Sequence, residues 1–136
     1  MTRRRSYGRA PTGTFWRYWL PVLVYIVLIF GASSISTLRP PQVVVGSDKL
    51  AHIVEYGILG FLLMRAFLGS GFVSTTGKAA LLGIVVGLMI GLADELYQIG
   101  VPGRLSDPMD FAADALGLVL SGVVLLALEQ VLVKRR

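Results

Sequence analysis

Asp48, Lys49, His52, Glu55 and Tyr56 follow one another at offsets that put them on one stripe of a helix. Asp94, Glu95 and Gln98 end a second apolar stretch, and Asp107, Asp110 and Asp114 begin a third at spacings of three and four. Two kinds of chemistry suit these residue types. His52, Glu55, Glu95 and Asp110 are nitrogen and oxygen ligands of the sort that hold a divalent cation for hydrolysis or phosphoryl transfer at a lipid head group. Lys49 offers a point charge and Arg104 a planar fork, a pair that suits an anionic group such as a phosphate or carboxylate. Charge counting pulls the other way. Seven of the chain's eight acids stand in these segments against Lys49, Arg104 and the more distant Arg39. An amine-bearing ligand or a cation fits that excess better than a bare phosphate. A single His falls short of the familiar zinc hydrolase sets, and no HExxH, P-loop or nucleophile elbow occurs. No residue is assigned as catalytic and no cofactor is expected; a divalent cation is the one candidate.

Structural roles compete with these readings. Asp48 in a first turn offsets the helix dipole, and Asp107 with Asp110 has the spacing of a carboxylate capping box. Lys49 can snorkel, His52 can bond a backbone carbonyl, and Arg104 can be a solvated rim charge. Glu95 and Asp114 have no such ready role, because both sit inside apolar runs away from a helix N-terminus. A proton-coupled carrier is a third reading, since carboxylates and a His relay protons in membranes. Against it, nothing comparable continues to the opposite ends of the spans.

The elements that must position these groups are membrane spans. Of the 136 residues, 54% are apolar and only 15% charged, with a mean hydropathy of +0.71. Ordinary soluble domains are nearer a quarter charged. Four runs reach the roughly 20 residues that cross a hydrocarbon core, at about 16–35, 48–68, 78–98 and 107–133. Trp16, Tyr18 and Trp19 suit an interface, and Pro21 falls in the first turns of the first run. A cleavable signal peptide is the rival reading of that run, which is long for one. Pro40 and Pro41 stiffen a loop over 38–47, with Ser47 as a candidate N-cap. Gly69-Ser70-Gly71 breaks the second run, and Val101-Pro102-Gly103-Arg104 reads as a tight turn. Gly83, Gly87 and Gly91 repeat every four residues, a smooth face for close helix packing. With no Cys, the chain has neither disulfides nor thiolate sites.

Four crossings put both termini on one side with the loop between the second and third spans. That side carries ten of the 13 Lys and Arg residues; Arg39, Lys49 and Arg104 are on the other. The positive-inside bias places both termini in the cytoplasm, so the acidic end faces outward. The net charge of +5 is explained by these basic ends next to anionic lipid, with no nucleic-acid partner.

The ordered segments Asp48-Lys49-Leu-Ala-His52-Ile-Val-Glu55-Tyr56, Leu59-Gly60-Phe61, Glu95-Leu-Tyr-Gln98 and Pro102-Gly103-Arg104-Leu-Ser106, then Asp110 and Gly117, resemble the VanZ-like membrane proteins. That family is named for an accessory protein of glycopeptide resistance. Asp114 departs from the pattern, where many members carry Asn. The resemblance covers about residues 45–122 and implies a multi-helix integral membrane protein of the bacterial cell membrane. It also implies a link to envelope antibiotics, mainly teicoplanin for the namesake, and supplies no catalytic assignment. The expectation is an all-α bundle: a basic arm over 1–15, one domain over 16–133 and a basic tail over 134–136. By shared depth and spacing, Lys49, His52, Glu95, Gln98, Arg104 and Asp110 are expected to line one outward-facing cavity, with Tyr56, Ser106 and Asp114 beside them. The expected ligand is a lipid head group, a cell-wall precursor, a glycopeptide or another amine-bearing compound. The oligomeric state is left open.

Overall fold

Apolar runs of this length can satisfy their backbone in a membrane only as helices, and the chain takes that course. The computed structural model describes residues 12–35, 47–104 and 106–134. It contains α1 (Thr12–Ser33), α2 (Ser47–Gly69), α3 (Thr76–Ile99) and α4 (Pro108–Lys134), with no strand among the described residues. All four are long and apolar enough to cross a membrane. Even the shortest, α1 with 22 residues, extends about 33 Å against a hydrocarbon core of about 30 Å. The arm over 1–11, Arg39, Pro40 and Pro41, and Arg135 and Arg136 lie outside the described residues, as does the side chain of Ser47.

Helix ends are set by side chains. The Thr75 hydroxyl accepts from the Lys78 N–H at 3.4 Å, and Asp107 accepts from the Met109 N–H at 2.9 Å ahead of Pro108. The capping box expected from Asp107 and Asp110 does not close. Asp110 turns instead to Lys49, and the Asp107 N–H donates to Glu95 of α3 at 3.1 Å. The turn at Val101–Arg104 forms as expected, with an Arg104 N–H bond to the Val101 carbonyl at 3.1 Å and Gly103 at φ +81°. α1 starts earlier than expected, so Pro21 lies well inside it and removes one helical hydrogen bond there.

In lipid, helices associate through close packing rather than hydrophobic expulsion. α2, α3 and α4 pack against one another, and α1 docks mainly on α2. Gly57 and Gly60 of α2 face Gly117 and Ser121 of α4. A Cβ at Gly117 would stand 2.3 Å from the Ile53 carbonyl oxygen, so the two backbones approach as closely as only glycine allows. The stripe Gly83, Gly87 and Gly91 receives Met64, then Leu118, then Tyr56 with Asp114. α1 is held by Trp19, edge-on to Phe67 at 5.2 Å, and by Tyr18, whose ring lies 4.9 Å from the Arg65 guanidinium. Val27, Leu81, Met89 and Val123 are exposed, as lipid-facing positions should be.

Candidate functional site

The polar residues meet at the end of the bundle where α1 and α3 finish and α2 and α4 begin. Lys49, in the first turn of α2, is 2.6 Å from Asp107 and 3.5 Å from Asp48, and it also pairs with Asp110. One turn deeper, His52 Nδ1 bonds Asp114 Oδ1 at 2.8 Å while Nε2 lies 3.7 Å from Asp110. These contacts zip α2 to α4 along the stripes that the sequence spacing defined. The two carboxylates at the deeper level are buried, Asp114 to 1% exposure and Asp110 to 8%.

α3 adds a second set. Glu95 accepts from the Ser106 hydroxyl at 2.7 Å and from the Asp107 N–H, and so caps α4 from a neighbouring helix. Gln98 donates to Asp94 at 2.9 Å, and Ser33 of α1 donates to the same oxygen at 2.9 Å. Ser34 and Tyr97 bond at 2.8 Å. Ser33, Ser34 and Tyr97 are absent from the sequence-derived site, and Asp94, placed at this end by the sequence, was not among the residues expected to line the cavity. The available signal was the four-residue offset of Asp94 from Gln98.

Several expectations need correction. Arg104 does not face a cavity. Its Nη2 donates to the Ala32 and Ile35 carbonyls at 2.9 and 3.1 Å and so caps the end of α1. Lys49 is likewise surrounded by carboxylates, so neither base is held open for an anion. Glu55 leaves the stripe and lines a groove toward α1. Above all, the expected cavity closes into a packed polar core. Grooves lie beside it, against Lys49 and Met109 on one flank and Glu55 and Tyr25 on another. A further one, of about 430 Å³, lies at the opposite end, where Leu68 and Thr76 face Glu129. Among the described residues the core nevertheless keeps unpartnered buried atoms: Tyr56 Oη, Asp94 Oδ1, Glu95 Oε1, Asp114 Oδ2 and Arg104 Nε.

A family model described as VanZ/LLP1 matches residues 10–129. The chain belongs to the VanZ-like family. No curated protein and no solved structure matches it. In this VanZ-like chain the match takes in α1, α2, α3 and nearly all of α4, so the whole polar core lies inside it. The cation ligand set of His52, Glu55, Glu95 and Asp110 is dispersed in the VanZ-like bundle. Glu95 caps α4, Glu55 lines the groove, and among the described residues no three His, Asp or Glu side chains form a metal cage.

The Arg104 latch gives a first expected result. Arg104→Lys keeps the charge, but a compact, strongly hydrated ammonium on a shorter stem holds two carbonyls less well. Losing one such bond costs about 1 kcal/mol. Hydrogen exchange at the last turn of α1 should then rise about fivefold, with α2 and α4 unchanged.

Proposed function

We propose that this VanZ-like membrane protein recognises an amine-bearing, envelope-related compound at its acidic end and carries out no reaction on it. The observation that carries this reading is the internal commitment of both bases. Lys49 is held by three carboxylates and Arg104 by the end of α1, whereas carboxylate oxygens of Asp94, Glu95 and Asp114 have no partner. A surplus of buried negative charge beside spent bases favours a cation. With both termini in the cytoplasm, this end faces outward and meets such compounds before they cross. Asp48 and Asp107 stand at its accessible rim, each with side-chain exposure above 40%.

The test is antibiotic susceptibility in cells with matched membrane levels of each variant, teicoplanin included because of the family. Expression should shift susceptibility to an amine-bearing compound but not to its N-acetylated form, which lacks the charge. Glu95→Gln should abolish the shift, and changing Arg3, Arg4 and Arg5 together to Gln should leave it. A shift that survives Glu95→Gln, or that ignores N-acetylation, sinks the reading.

A further inference from the structure

Glu55 lies seven residues beyond Asp48 on α2, about 10 Å further into the membrane-crossing helix. Its carboxylate belongs to none of the contacts that organise the polar core. Among the described residues, no hydrogen bond or ion pair reaches it. It lines instead a groove of about 570 Å³ between α1 and α2, with Tyr25, Leu50, Ala51, Val54 and Ile58. Leu50, Val54 and Ile58 are 61%, 54% and 45% exposed, so one wall of the groove is apolar surface turned to the bilayer. Tyr25 closes the α1 side, its hydroxyl donating to the Glu55 carbonyl at 3.2 Å.

An ionisable side chain within a span is costly, and such groups almost always pair or mark a ligand path. Glu55 has no such pair among the described residues, which leaves a ligand path. The nearby charges whose fields reach it are His52 first, then Asp94, Asp114 and Arg104, and none of them is in contact with it. We propose that the α1–α2 groove binds a membrane-embedded cationic amphiphile. Its amine or ammonium head would pair with Glu55 between Leu50 and Val54, and its alkyl chain would run inward past Ile58. This deepens the reading above, and rests on it, by naming the ligand class as one that arrives sideways from the bilayer. Charge complementarity selects the occupant: an anionic lipid would meet a carboxylate, and an uncharged chain would leave it unpaired.

The probe is a long-chain primary amine carrying a diazirine, with the matched alcohol as control, photoactivated in liposomes containing the full chain. Peptide mapping should place the amine on Leu50, Val54 and Ile58 about tenfold more than the alcohol, the worth of one charged hydrogen bond. Glu55→Gln should reduce that labelling to the alcohol level, and Val54→Trp, which fills the groove, should do the same. Labelling of the lipid-facing Leu81 and Met89 should not change. Amine labelling spread evenly over all lipid faces, or unaffected by Glu55→Gln, overturns the site. Amine labelling that moves to the rim at Asp48 and Asp107 also overturns it, while leaving recognition at the acidic end intact. Groove labelling without any susceptibility phenotype would support the site and count only against the envelope-antibiotic role.

Discussion

Gly117→Ala is expected to force α2 and α4 apart. A Cβ there would stand 2.3 Å from the Ile53 carbonyl oxygen and 2.8 Å from the Gly57 nitrogen, both backbone atoms of α2. Backbone in a packed helix cannot rotate away, so α2 and α4 must separate. The same count of close atoms at Gly87 involves the end of Leu118, a flexible side chain that can repack. Overpacking costs about 1–3 kcal/mol in general, and the rigid neighbour puts this site at the upper end. Separation would also stretch the Lys49 and His52 contacts that join the same two helices. The melting temperature in mild detergent should fall by on the order of 10 °C. Gly31→Ala and Gly77→Ala meet nothing within 4 Å and should be neutral or mildly stabilising. A Gly117→Ala protein that melts with these controls would refute the close approach.

What the sequence made legible, and what it hid, follows from the range of the interactions. The four spans are long, mostly apolar runs, and Asp107-Pro108 or Pro102-Gly103 act within a turn, so each reads locally. The glycine stripe of α3 also reads locally, because a bare helix face is useful only against a neighbour. Arg104 was another matter. Its partners, the Ala32 and Ile35 carbonyls, are about 70 positions away and offer no side-chain signal. Glu55 shows how fine the helical geometry is. Three residues after His52 amount to a rotation of about 60° away from it, enough to pass from the α4 side of α2 to the α1 side. Stripe counting treated the two as one face, and only the placement of α1 separates them. The closure of the cavity was hidden for a related reason: sequence spacing shows that polar groups share an end, but not whether they bond each other or leave room.

The largest expected effect in the polar core belongs to His52. His52→Leu removes the partner of Asp114 Oδ1 at 2.8 Å and leaves a carboxylate of 1% exposure with neither oxygen satisfied. Removing one member of a buried pair costs about 3–5 kcal/mol, because the other charge stays buried alone. Replacing both members by apolar groups of similar volume is often neutral. His52→Leu combined with Asp114→Val should therefore recover most of the stability that His52→Leu loses. Asp114→Asn should be milder than His52→Leu, since its amide can still bond the imidazole. Melting curves of the single and double variants form a cycle that isolates the pair. Failure of the double variant to recover would mean that the pair stabilises α2 against α4 in a way an apolar contact cannot. The recovered protein then separates packing from function. It should insert and melt like the wild type yet show no susceptibility shift, because the buried acid surplus has been reduced at its most enclosed position. A wild-type phenotype from that stable double variant would make the His52–Asp114 pair a packing device and move recognition to the rim.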